Sequence, residues 1–197
     1  MVAYSPQFYE RVMVFIDGSN ILWGSKERGF RIDHGKLVEY LVGSNRRMVR
    51  PYFFCSIGSP PSPEQIRFQD ALKFKGFEVV SKPLRFRQFK AREVGSGRDV
   101  FVEKWGEKGV DVSLVTFMLS MGWKNAYDTA LLIGGDEDYL PAVMEVKQIP
   151  KRVEIAAFSD TDASDPPRFK NTINRGMRMV ADRFYPLETL RSSIERV

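Results

Sequence analysis

Two knots of carboxylates stand far apart in this chain, and each begins where a run of apolar residues stops. Phe15-Ile16-Asp17-Gly18-Ser19-Asn20 ends the run Val12 to Ile16, and Gly134-Gly135-Asp136-Glu137-Asp138-Tyr139 ends the run Thr129 to Ile133. Both runs read as buried parallel strands. In an open α/β sheet the loops at the carboxyl ends of the strands form the ligand crevice, so the two knots are expected to meet there. Carboxylates brought together repel one another; some must be protonated, or a cation must sit between them. A hard divalent cation is the simpler answer. Asp111 is the third candidate, because a helix beginning at Gly109 to Asp111 sets it on the face of Val115 and Met118, at i+4 and i+7, and so toward the core. Each acid also has an ordinary role. Asp111 suits the positive end of a helix dipole, Asp17 and Asp136 suit turns, and Asp138 suits the start of the helix containing Pro141. Taken singly these roles suffice, but they leave the shared placement of the acids unexplained.

The elements that must position these acids alternate between strand and helix, the pattern of a mostly parallel sheet covered on both faces. Strands are expected at Arg11 to Ile16, Met48 to Ile57, Phe77 to Lys82, Thr129 to Ile133 and Arg152 to Phe158. Helices are expected from Ile21 to Arg28, from an Asp33 cap to Val42, from the Asp111 region to Met121, after Pro141, and from Pro167 to Arg183. The surest start is Ser62-Pro63-Glu64-Gln65, a capping box with proline in the first turn, opening a helix to Lys75 that Gly76 stops. Leu84 to Glu103, with Gly95-Ser96-Gly97 inside it, predicts a hairpin outside the main sheet.

The 197 residues, 43% of them hydrophobic, suffice for a substantial core, and no change of composition divides them. One domain, residues 1–197, is expected. No apolar stretch approaches the roughly 20 residues of a membrane span, and the first residues lack a secretory signal, so the expectation is a soluble cytoplasmic protein with no membrane partner. Cys55 is the sole cysteine, which excludes an intrachain disulfide and a thiolate zinc site; it reads as a small core residue. A net charge of +5 in a protein with an acidic crevice implies basic surface elsewhere and a polyanionic partner.

Phe15-Ile16-Asp17-Gly18-Ser19-Asn20, Lys108-Gly109-Val110-Asp111-Val112 and Tyr127-Asp128 through Gly135-Asp136-Glu137-Asp138-Tyr139, in that order, resemble the NYN domain branch of the PIN-like nucleases. The likeness runs from about residue 11 to 185. It implies a Rossmann-like (PIN-like) α/β fold that binds magnesium or manganese and cleaves RNA, leaving a 5′-phosphate and a 3′-hydroxyl. By matching motif positions it implies Asp17, Asp111, Asp136 and Asp138 as the catalytic and metal-binding acids, with Asn20 orienting metal-bound water or phosphate. The chain departs from the family pattern at Gly134 and Glu137, where serine is usual, and at Pro150, where glycine is usual.

The residues suit that chemistry independently. Phosphodiester hydrolysis needs an activated water, charge neutralisation at phosphorus and help for the departing oxygen, and one or two carboxylate-held divalent ions supply all three. Asp17 and Asp136 are expected as direct ligands, Asp111 as a ligand or as a holder of metal-bound water, and Asp138 on the outer side. His34 is the only histidine, so a two-histidine acid and base mechanism is excluded within one chain; it is expected at the surface of a helix start. Leu84 to Arg92 carries four basic residues, two phenylalanines and no acid, a pattern fitted to single-stranded RNA and equally to a solvated hairpin. Arg85 and Arg87 are its candidate phosphate contacts, and Lys104 and Lys108 can reach a phosphate near the acids. Trp23, Trp105 and Trp123 are expected as core or rim packing. Homo-oligomerisation is left open.

Two other classes stay in view. A non-catalytic RNA-binding or regulatory module would keep the fold, with or without the metal, and Glu137 and Gly134, the two departures at the second acidic knot, are its support. A phosphatase with Asp17 as covalent nucleophile is weaker, because Ser19 stands where haloacid dehalogenase-like enzymes normally carry their acid and base aspartate.

Overall fold

In the computed structural model, residues 9–92, 99–159, 169 and 171–196 are described, and for 87–92 and 99–105 the description is of the backbone. Six parallel strands form the main sheet in the order β3-β2-β1-β6-β7-β8. They are β1 (Arg11–Asp17), β2 (Arg47–Ile57), β3 (Glu78–Pro83), β6 (Thr129–Ile133), β7 (Arg152–Ala157) and β8 (Arg183–Pro186). The antiparallel pair β4 (Arg85–Arg92) and β5 (Asp99–Gly106) stands apart from it, as the sequence led one to expect. The glycine-containing turn of that hairpin lies outside the described residues.

Central strands are buried on both sides because nearly every residue is apolar. Along β1, Val12, Val14 and Ile16 pack with α1 (Gly18–Glu27), α2 (His34–Val42) and the short α7 (Arg191–Ile194), while Met13 and Phe15 pack with α4 (Val110–Trp123) and α5 (Leu140–Gln148). Helices therefore cover both faces. The helix α3 (Pro63–Phe74) starts as expected: Ser62 accepts from Gln65 N, and the Gln65 side chain accepts from Ser62 N.

The C-terminal region differs from its sequence reading. In place of a helix from Pro167 to Arg183 there is a six-residue helix, α6 (Arg175–Val180), followed by the edge strand β8; Pro167 and Arg168 lie outside the described residues. Asp182 fixes the change by accepting from Val153 N at 2.7 Å and from Lys147 Nζ at 2.9 Å, which pins the chain beside β7. His34 is not a free surface residue, since its ring packs edge-on against Phe53 and Phe68 and burial pushes its pKa down to about 4. Trp23 and Trp123 are not core residues, being half exposed or more, and the Trp105 side chain lies outside the described residues. Among the described residues no helix is long and apolar enough to cross a membrane.

Candidate carboxylate site

β1 leads through Asp17 to α1 and on to β2 on one side, whereas β6 lies on the other, so the strand order reverses between β1 and β6. Loops at such a point splay apart and leave a crevice. Ile16 and Ile133 are paired neighbours, which brings the loop after β1 against the loop after β6. Asn20 ties them together by accepting from Gly135 N at 3.2 Å. Gly134 makes the approach feasible: its φ is +154°, and a Cβ there would lie 3.0 Å from the Asp17 Cβ. A serine at this position of this chain would crowd the acid.

Asp17 is 3% exposed. One carboxylate oxygen caps α1 by accepting from Asn20 N at 3.0 Å, and the other accepts from the Tyr139 hydroxyl at 2.7 Å. The same hydroxyl lies 3.2 Å from Asp111 Oδ1. A phenol has one hydrogen, so it can donate to only one of the two acids at a time. Two carboxylates sharing one donor fit a site that holds either an extra proton or a cation. Burial pushes the Asp17 pKa up to about 6, with the charges of Asp111 and Glu107 adding to the rise against the two hydrogen bonds. The Asp111 pKa is also raised, first by desolvation, then by Asp136, Glu107 and Asp138.

These mutual effects bring the four sequence-derived acids into one electrostatic neighbourhood, with differences in detail. The expectation that Asp111 faces the core with Val115 and Met118 is not met: the buried stripe of α4 is Val110, Leu114 and Met118, and Asp111 lies beside it, exposed. Asp136 is half-buried and accepts from Asp138 N at 3.0 Å, while Glu137 and Asp138 are exposed. Among the described residues no three acid, histidine or cysteine side chains converge into a cage for an ion. The donor set still fits a hard divalent cation in kind, since it is all carboxylate and gathered at one edge, and Asp17 and Asp111 are costly to ionise without a counter-charge.

Sequence reasoning missed two members. Glu107 is bound by the Ser19 hydroxyl at 2.6 Å across 88 residues of chain, which joins the end of β5 to the start of α1. Tyr139 was visible in the motif, but only its burial beside Asp17 reveals what it does.

The hairpin stems from the same edge. Leu84 N bonds Ile57 O at 2.8 Å at one foot, and Gly106 leads to Glu107 at the other. Its backbone register pairs Arg85 with Gly106 and Arg87 with Lys104, next to the stem. Arg85 and Lys108 are exposed; the side chains of Arg87 and Lys104 lie outside the described residues.

A family model described as the NYN domain matches residues 11–188. The low amplitude and bright protein LabA of Synechococcus elongatus is 26% identical over 196 residues, covering 99% of this chain and 91% of the relative. A crystal structure of a protein of unknown function from Vibrio parahaemolyticus superposes with a TM-score of 0.68 at 20% identity, covering 98% of this chain and 99% of that one, which shows a shared fold.

Proposed function

The chain belongs to the NYN domain family, and on that premise we propose that it is a metal-dependent ribonuclease hydrolysing single-stranded RNA at the Asp17 cluster. The family is nuclease-like in general and its domains bind RNA. The observation that carries the finer reading is the sharing of one Tyr139 hydroxyl by Asp17 and Asp111 at the strand-order reversal. Magnesium or manganese held by Asp17, Asp111 and Asp136 would supply water activation and neutralisation of phosphoryl charge. The protein's own groups do the rest. Tyr139 stands between Asp17 and Asp111 and donates its one hydrogen to either, Asn20 ties their loops together, and Ser19 holds Glu107 at the margin. Asp138 lies on the solvent side, where it can bind water beside the scissile phosphate. Arg85, Arg87 and Lys104, which the backbone register brings next to the hairpin stem, and Lys108 would provide cationic groups for the RNA backbone.

A binding module without cleavage is the second reading, favoured by the absence among the described residues of a closed ion cage. Labelled single-stranded RNA incubated with manganese, magnesium or chelator separates the two. Cleavage is expected with metal only, and Asp17→Asn or Asp136→Asn should abolish it while the fold survives. Binding without cleavage at any metal concentration selects the module. Cleavage in chelator, or wild-type rates in either folded variant at limiting metal, ends the metal-dependent reading.

A further inference from the structure

The sheet edge opposite the carboxylates carries a second concave surface. A cleft of about 750 Å³ opens near the amino ends of β7 and β8 and the last turn of α2, lined by Tyr40, Arg46, Arg152, Glu154, Arg183 and Tyr185 among others. Glu10, which also lines it, directly precedes β1, while Asp17 ends that strand. Seven extended residues span about 20 Å, so the two sites are separate.

The floor of the cleft is fixed. Buried Glu154 accepts from Arg46 Nη1 and from the Tyr185 hydroxyl, each at 2.9 Å, and Arg46 Nε donates to Val42 O at 2.9 Å. Glu10 lies 3.9 Å from Arg46 and is hydrogen-bonded by the Thr129 hydroxyl. A buried ion pair of this kind adds little net stability over apolar packing, but it holds its residues in one arrangement. The mouth is different. Arg152 and Arg183 are exposed, and among the described residues neither has a carboxylate within ion-pair distance; the charge of Arg152 reaches Asp182, whose hydrogen bonds go to Lys147 and Val153 N. Arg183 lies over the Tyr185 ring at 4.7 Å, and Tyr40 is 52% exposed.

Volume, charge and rings together fit one ligand class. Clefts of roughly 300 to 1,000 Å³ hold small molecules, unpaired guanidinium groups match the forked geometry of phosphate, and exposed rings stack on bases. We propose that this cleft binds a nucleoside 5′-phosphate, with Arg152 and Arg183 on the phosphate and Tyr40 beside the base. Such a group is offered by a free nucleotide or by the 5′-phosphorylated end of an RNA. Occupancy does not depend on cleavage at the carboxylates.

Calorimetric titration of the full chain in chelator tests this with AMP and with adenosine as probes. Saturable binding of AMP and none of adenosine is expected. Arg152→Ala with Arg183→Ala should weaken AMP at least tenfold with an unchanged circular dichroism spectrum, and Arg152→Gln alone serves if the double variant fails to fold. Asp17→Asn, at the other edge, should bind AMP as wild type does, so loss of cleavage and loss of this site are distinguishable. Displacement of AMP by a 5′-phosphorylated oligonucleotide, and not by its 5′-hydroxyl counterpart, assigns the RNA end; displacement by neither assigns the free nucleotide. Absence of AMP binding, equal binding of adenosine, or full affinity in the folded arginine variants would overturn the proposal.

Discussion

Asp17 is the residue on which fold and chemistry meet, because the burial that places it in the crevice also makes its charge expensive. With its pKa raised to about 6 from 3.8, the folded chain takes up a proton before the unfolded chain does, so this group favours folding increasingly as pH falls from about 6 toward 4. His34 acts in the opposite direction over a similar range. It is held neutral down to about 4, so the stability it contributes is full above its ordinary pKa and is lost as the solution turns acid. The wild-type profile mixes the two, and the Asp17→Asn variant separates them. In chelator at pH 7 it should be more stable than wild type by roughly 2 kcal/mol: about 3 from relief of the buried charge, less about 1 for a hydrogen bond the amide cannot accept. The advantage should vanish near pH 4. Urea melts at both values check this, and a variant destabilised at both would mean that Asp17 carries no excess charge cost. Tyr139→Phe makes the complementary case. The Tyr139 bond pulls the Asp17 pKa down against burial, so its removal should move the Asp17 midpoint above 6, as read by carboxyl carbon NMR.

At the scale of elements, β1 and β6 were legible because unbroken apolar runs admit little besides buried strands, and their carboxyl ends follow from where the runs stop. Asp17 and Asp136 could be found for that reason. β8 was not legible: Arg183-Phe184-Tyr185-Pro186 is a four-residue edge strand, half-buried, whose identity depends on Asp182 gripping β7 from outside the segment. Glu107 was hidden for a related reason. Its partner Ser19 is 88 residues away, and a charged stretch between a strand and a helix gives no local sign of a long-range contact. Such tertiary constraints have measurable weight. Gly134→Ser forces a Cβ into a positive-φ position 3.0 Å from the Asp17 Cβ, and should cost about 1 to 3 kcal/mol while disturbing the crevice. Glu154→Ala strips the buried partner from Arg46 and Tyr185, and should cost about 3 to 5 kcal/mol with the carboxylate site unaltered. Thermal melts of both variants, with RNA cleavage as the second readout, should show the second losing stability without losing turnover per folded molecule.

The whole molecule is a cation with an acidic edge. Its formal charge is +5, yet Asp17, Asp111, Asp136, Asp138 and Glu107 gather at one side, so a polyanion needs basic surface close enough to bring it there against local repulsion. The proposed RNA contact is the hairpin stem, which rises from the ends of β3 and α4 that border the acids and carries Arg85, Arg87 and Lys104 next to it in the backbone register. If the stem tracks the backbone of a single strand, each contact releases about 0.7 counterions. Arg85→Ala with Arg87→Ala should then lower the slope of log affinity against log salt by about 1.4, and should weaken all single-stranded sequences alike because phosphates carry no sequence information. Metal-free Asp136→Asn should move the other way, binding RNA more tightly as one repelling charge leaves the edge, with a smaller change in slope. Filter binding of a fixed oligonucleotide across a salt series in chelator measures both. An unchanged slope in the arginine variant would make the hairpin a solvated arm, and would shift the search for the RNA path to other basic surface.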